Sequence, residues 1–527
     1  MMLNERKSCR IYYSRFSLCK LPVQYDPFSS QPELSIMNLS FSKLLFFLII
    51  LSTSFSSAQT PDFARRLFDS HENYREVSLN KRRFKQKDIL PLIEKRKADP
   101  RYQIESVGQS FEGKNIQMIK AGTGPIKILL WTQMHGDEPT ATMATFDILN
   151  FLEGKNDGFD DFRKQLLENT TLYFVPMLNP DGAERYQRRN AQEIDINRDA
   201  LALQAPESQI LKQLQQTLLP EFGFNLHDKN PRYSVGNSDK LATISFLATA
   251  FDQERNVNAV REKSMQVIVG MDRVLQEFIP GQVGRWNEDF EPRAFGDNIQ
   301  KWGTTLILIE SGGYAGDPEK QYIRKLNFVA ILSGLGAIAD NSFIKENKAD
   351  YYKNAENSRY IYDLLIKKAT VQRDGKSYQA DFGINRYEVS IANATDFFYR
   401  SVIEEYGDLS IYSGTETLDG EGYTIEYGKV YPEKFMDLKS LTEAKAWSIL
   451  KQGFTYIQLS GKISSANPVQ FPLHILNNKK ASNGTPALDD SATFILKKGG
   501  KIKYAVVNGF VYDLEKEYTK IGNGIVE

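Results

Sequence analysis

The sequence predicts an α/β fold followed by a β-rich C-terminal region. Two textures lead to that reading. Between about residues 59 and 341, short runs that are apolar throughout alternate with segments of helical spacing, the mark of strands buried on both faces of a covered sheet. After about residue 359 the pattern changes to period-two alternation around turns rich in Gly and Asn.

The elements follow in order. Residues 126–133 (IKILLWTQ) read as a buried strand, 140–152 as a helix and 170–178 (TTLYFVPML) as a second buried strand. A helix over 206–219 carries Pro in its first turn, where the missing N–H costs nothing. Then come a strand at 222–227, a helix at 257–278, a strand at 304–309 and a long apolar helix at 319–339. The polar stretch 342–357 reads as a linking helix. Residues 369–391 alternate around Asp374-Gly375, and 492–512 around Gly499-Gly500 and then Asn508-Gly509. The chain therefore divides into 1–58 (an upstream segment with an export signal), 59–341 (α/β), a 342–358 linker, and 359–527 (β-rich, in one or two small modules).

Composition excludes several classes of function. Of 527 residues, 41% are hydrophobic and 25% charged, so the chain is neither disordered nor a multi-span membrane protein. Lys+Arg and Asp+Glu both number 66, and no charge excess points to nucleic acid. Cys9 and Cys19 are the two cysteines, which leaves no disulfide framework, thiolate metal site or catalytic cysteine in the body. Histidine chemistry has four residues to draw on: His71, His135, His227 and His474.

Residues 37–58 read as a secretory signal. Lys43 precedes a short apolar run at 44–51, and Ser56-Ser57-Ala58 suits cleavage. The run is too short to cross a bilayer core of about 30 Å as a stable helix. An uncleaved anchor is the alternative. A signal begins near the initiator, so Met37 is expected to be the true start. A secreted or periplasmic protein with no stable membrane span follows as the expectation.

Four polar features sit at or near the ends of the apolar strands. His135-Gly136-Asp137-Glu138 places an imidazole and a carboxylate three apart where a strand bends into a helix, and both are ligand types for Zn²⁺. Alone it is also an ordinary helix N-terminus with acidic first-turn residues. His227 ends another strand; a lone strand-end histidine is more often structural, but here it supplies a third ligand type. Asn179-Pro180-Asp181-Gly182, Arg188-Arg189-Asn190 and Asp195-Ile196-Asn197-Arg198 form a polar loop after a buried strand. Arginine in a cleft suits carboxylate recognition and oxyanion stabilisation, and on a surface it is merely solvated. Glu310 ends the strand 304–309 and is followed by two glycines. A carboxylate at that mouth can act as a general base or simply end the strand.

Taken together and in this order, these residues resemble the zinc carboxypeptidases of the carboxypeptidase A type. The resemblance covers about 74–341. It implies a three-layer α/β/α domain with a mixed sheet of about eight strands, and one zinc per chain held by His135, Glu138 and His227. It implies Arg188 as the transition-state arginine, Asn197 and Arg198 as the grip on a terminal carboxylate, Glu310 as the base toward metal-bound water, and Asp195 as a supporting acidic residue. Phe295 and Asp297, in PRAFGDN, are the residues it offers for the specificity pocket. Two departures stand out: only 88 residues separate Glu138 from His227, and the family's capping tyrosine has no counterpart, since no tyrosine lies between Tyr233 and Tyr314.

The function implied is removal of C-terminal residues from a peptide or peptide-like substrate. A zinc amidase or deacylase acting on cell-wall stem peptides or small N-acyl compounds would use the same groups. A non-catalytic peptide- or glycan-binding protein is the reading from another class.

Overall fold

Four parallel strands form the centre of an eight-stranded sheet. They are β3 (Ile126–Thr132), β4 (Thr170–Val175), β5 (Phe222–Asp228) and β9 (Thr305–Ser311). An antiparallel hairpin, β1 (Tyr102–Gln109) and β2 (Asn115–Ala121), extends one side. On the other side β7 (Ile244–Leu247) runs antiparallel to β9 and parallel to β8 (Val283–Arg285). The order across the sheet is β1-β2-β4-β3-β5-β9-β7-β8. The computed structural model describes residues 61–461, 467–476, 485–518 and 522–527. The segment read as an export signal, 37–58, lies outside the described residues.

Both faces of the central strands are covered, which is why β4 and β9 are buried along their whole length. Ile128 and Leu130 of β3 pack into a core with the helices Thr140–Glu153, Ala259–Gln276 and Gln321–Ala339. Leu129 and Trp131 point the other way, into a core with Leu211 and Leu214 of the helix Pro206–Leu218 and Ile299 of the helix Phe295–Lys301. The alternation of Cβ directions along a strand sends neighbouring residues to opposite layers. Gln321–Ala339 is long and apolar enough to cross a membrane, and 89% of its most apolar 18-residue window is buried inside the protein. Its apolar character serves the core.

The stretch expected as one linking helix is two short 3-10 turns, Ser342–Lys345 and Lys348–Lys353. Asn341 takes a left-handed conformation (φ 58°), and the Asn347 side chain accepts a hydrogen bond from the Ala349 N–H. Such side-chain capping competes with a continuous helix. The buried Tyr351 hydroxyl accepts from the Ala248 N–H and ties this stretch to the α/β layers.

A second eight-stranded sheet follows. It contains β11 (Ile361–Arg373), β12 (Lys376–Ile391), β13 (Asp396–Gly407), β14 (Ser413–Asp419), β15 (Thr424–Tyr427), β19 (Phe494–Lys498), β20 (Lys501–Val507) and β21 (Phe510–Asp513). The three turn dipeptides close hairpins as their sequence requires. Asp374-Gly375, Gly499-Gly500 and Asn508-Gly509 all have positive φ at both positions, the geometry that matches strand twist. A smaller three-stranded parallel sheet, β16 (Lys429–Phe435), β17 (Phe454–Leu459) and β18 (His474–Leu476), packs with the helix Glu443–Lys451 around its own core. Two two-residue strands, β6 (Ser234–Val235) and β10 (Asn357–Ser358), pair the loop after β5 with the start of this C-terminal region.

Candidate active site

Parallel strands point their C-terminal ends the same way, so the ends of β3, β5 and β9 meet at one edge of the sheet. Beyond β3 the chain turns at Gln133 (φ 46°) and carries His135 and Glu138 back over the sheet edge before the helix Thr140–Glu153 begins. Gly136 permits this path: a Cβ there would lie 2.0 Å from the carbonyl carbon of Gly182, in the Asn179-Pro180-Asp181-Gly182 turn. His227 is near the end of β5, and Glu310 stands beside it in register on β9.

The three candidate ligands converge. His135 Nδ1 is 2.8 Å from Glu138 Oε1, His227 Nδ1 is 2.7 Å from Glu138 Oε2, and the two Nδ1 atoms are 3.2 Å apart. All three residues are buried, with their ligand atoms within 4.8 Å of one another. Tetrahedral ligands about 2.0–2.1 Å from a zinc ion stand about 3.3 Å apart, so the spacing of the two nitrogens fits a shared ion. Two imidazoles and one carboxylate are also the donor set of zinc sites that keep a position open.

Electrostatics point the same way. The His135 imidazole is pushed up to about 9: burial alone would lower it, but the Glu138 and Asp195 carboxylates outweigh burial. Burial pushes His227 down. Burial would raise Glu138, and its two histidine partners hold it low instead. The pocket thus attracts positive charge where ligand atoms already face one another, and a divalent cation would take the place of the His135 proton.

Around the ligands, His135 Nε2 lies 3.2 Å from Asp195 Oδ1, a carboxylate that orients the ring. Arg188 donates from Nε to Asp195 Oδ2 at 2.9 Å, and its Nη1 lies 3.1 Å from His135 Nδ1 and 3.4 Å from Glu138 Oε1. Burial, with the nearby Glu138 charge, pushes the Glu310 carboxyl up to about 8.

These residues open on a cleft of about 830 Å³. Asn197 and Arg198 line it too. The Asn197 Oδ1 accepts the Phe295 N–H at 2.9 Å, which fixes the amide. Arg198 is partly exposed and pairs with Glu291 at 3.3 Å. Asp297 lines the cleft, and burial pushes its carboxyl up to about 7. Phe295 does not fit its expected place. It is fully buried against Ile299, Leu306 and Trp302 in the core under the sheet, and its ring is not part of the cleft wall. It starts a helix whose inward face fills that layer.

Sequence reasoning passed over several residues. Lys229, two after His227, is buried, donates to Ser245 Oγ and is pushed down to about 7 by burial. Asp228 accepts from Thr140 Oγ1 at 2.6 Å and from Lys320 Nζ at 3.0 Å. The polar run Asp228-Lys229-Asn230 directly after a buried strand was the available signal. Asp363, Arg386 and Tyr387, from the C-terminal region, also line the cleft, and no motif marks them.

Part of the chain is similar to known carboxypeptidases. Residues 92–218 match the zinc carboxypeptidase family, a stretch that includes His135, Glu138, Arg188, Asn197 and Arg198. Carboxypeptidase D of Drosophila melanogaster is 30% identical over 117 residues, covering 18% of this chain and 8% of that protein. Carboxypeptidase 2 of Trichophyton tonsurans is 28% identical over 134 residues, covering 25% of this chain and 24% of that protein. The chain thus spans a quarter or less of these two curated relatives. A solved metallo-carboxypeptidase from Burkholderia cenocepacia has 15% identity and a TM-score of 0.41, over 49% of this chain and 70% of that one. Residues 92–218 are thus similar to the zinc carboxypeptidases, and zinc is the ion that the buried His135, Glu138 and His227 group suits.

Proposed function

We propose that the protein is a zinc-dependent exopeptidase that removes residues from the C-terminus of peptides. The observation that carries this reading is the sharing of one cleft by Glu310, the three ligands, Arg188, and the Asn197–Arg198 pair. Bound zinc would supply Lewis acidity toward the scissile carbonyl and the attacking water.

The chain's own groups do the rest. Arg198, a planar fork in a half-open position, grips the terminal carboxylate. Asn197 assists: its Oδ1 is taken by the Phe295 N–H, so its amide N–H groups remain for the substrate. Arg188 faces the ligand group and stabilises negative charge developing on the carbonyl oxygen. Glu310 takes a proton from the attacking water as the new C–O bond forms. It then delivers that proton to the amine nitrogen as the C–N bond breaks. Burial raises the affinity of this carboxyl for a proton, which suits its role as an acceptor from water.

The test pairs zinc analysis with hydrolysis of one peptide as free acid and as C-terminal amide. Preference for the free acid supports the exopeptidase. Equal rates would favour the amidase reading, which needs no terminal carboxylate. Export rests on the 37–58 segment; the secreted form should begin at Gln59, and retention of the uncleaved chain in the cytoplasm would overturn it.

A further inference from the structure

The cleft has a wall that the α/β domain does not make. Asp363, Arg386, Tyr387, Glu388, Tyr399 and Phe510 all line it, and all belong to the C-terminal β-sheet. Two attachments hold that wall in place. On one side Arg83 donates to Glu388 Oε2 at 2.7 Å and to Ser390 Oγ at 2.8 Å; Arg82 binds the other oxygen of Glu388, and both guanidinium groups lie against the Phe397 ring, at 4.9 and 4.8 Å. Lys85 Nζ adds a bond to the Asn393 carbonyl at 2.6 Å. On the other side the loop after β5 is clasped. Arg232 Nη1 donates to Asp363 Oδ2 at 3.2 Å and to the Arg386 carbonyl at 3.3 Å, and its guanidinium stacks 4.7 Å from the Tyr387 ring. The Arg386 N–H donates to the same Asp363 oxygen at 2.7 Å. The Arg82 and Arg83 side chains are largely buried, and removing Glu388 would leave both cations without this partner.

We propose that the C-terminal β-sheet is part of the substrate site and closes the cleft on the side upstream of the scissile bond, which restricts the enzyme to short peptides. The proposal rests on the exopeptidase reading above. An unobstructed groove would accept a chain of any length. A space of about 830 Å³ lies within the range of pockets that enclose small ligands. Such a volume is roughly 12 Å across if compact, or about three to four extended residues. On this proposal a longer chain leaves past Tyr387 and the Arg232–Asp363 pair, which Arg232 ties together.

The test is a ladder of free-acid peptides of two to ten residues with one common C-terminal sequence, given to the zinc-loaded full chain. Turnover is read on the native protein and binding on Glu310→Gln. We expect kcat/KM to rise to three or four residues and to fall at least tenfold by ten, with binding following the same order. A decapeptide cleaved and bound as well as a tetrapeptide overturns the proposal and leaves the exopeptidase reading intact. Length-limited binding without turnover of any member supports the wall and sinks the exopeptidase reading. Neither binding nor turnover of any member overturns both. Tyr387→Ala and Asp363→Ala should each raise the decapeptide-to-tripeptide ratio of kcat/KM about tenfold. A misfolded fraction lowers both substrates equally, so an unchanged ratio would reject these residues as the wall.

Discussion

His227 and Glu310 are register partners on two adjacent parallel strands, the one a candidate metal ligand and the other the candidate base. Their backbones share one ladder, so their separation is set by the sheet and not by a loop. Burial at the sheet edge acts on both in the direction of the uncharged form, lowering the imidazole and raising the carboxyl.

Removal of His135 should empty the metal site. Purified protein is expected to carry about one zinc per chain, since three ligands form an open site. His135→Ala should lose most of it, and Asp195→Ala should weaken zinc affinity roughly 10- to 100-fold because the ring loses its orienting carboxylate. Metal analysis after dialysis against a graded chelator reads both. Full zinc occupancy in His135→Ala would reject the ligand assignment.

Glu310→Gln should keep zinc and substrate binding and lose turnover. Glutamine has nearly the same shape and cannot accept the water proton, so kcat should fall roughly a hundred- to ten-thousand-fold with KM little changed. Near-native kcat in this variant would move the base to another carboxylate.

Arg198→Ala should damage cleavage of a free-acid peptide severely and change that of the already poor amidated peptide little. The guanidinium is offered as the bidentate partner of the terminal carboxylate. A folding defect would lower both rates together, so the ratio of the two substrates is the quantity to measure.

The C-terminal region should lose stability below neutral pH through His474. That ring is buried, accepts the Ile525 N–H on Nδ1 at 3.1 Å, and places Nε2 2.7 Å from Thr493 Oγ1. Burial pushes its value down to about 3 from 6.5. The unfolded chain therefore binds a proton below about pH 6.5 that the folded chain refuses. The stabilising contribution is complete above 6.5 and falls by about 1.4 kcal/mol per pH unit toward 3. Denaturant unfolding at pH 7, 5.5 and 4 should show a steeper decline for the native protein than for His474→Gln. Parallel slopes would exclude the histidine as the cause.

Local rules accounted for much of this molecule. Largely apolar runs at 126–133, 222–227 and 304–309 marked strands covered on both faces, because a strand with both Cβ directions buried has few polar positions to spare. Asp374-Gly375, Gly499-Gly500 and Asn508-Gly509 marked hairpins, because only such residues take positive φ twice in succession without strain. His135, Glu138, His227 and Glu310 were legible because chemistry-bearing side chains at strand ends leave a discrete pattern. What the tertiary structure alone decided depends on packing across long separations. Phe295 and Asp297 are two residues apart, yet one fills the core and the other faces the cleft, since the helix they begin presents one side to each. Lys229 is buried only because β9 and the neighbouring strands enclose it. Asp363, Arg386 and Tyr387 stand at the cleft where Glu388 meets Arg82 and Arg83, some 300 residues away along the chain, and where Arg232 meets Asp363. No local propensity encodes a contact of that span. It follows from which charged and aromatic surfaces remain to be matched once each sheet has formed its own core.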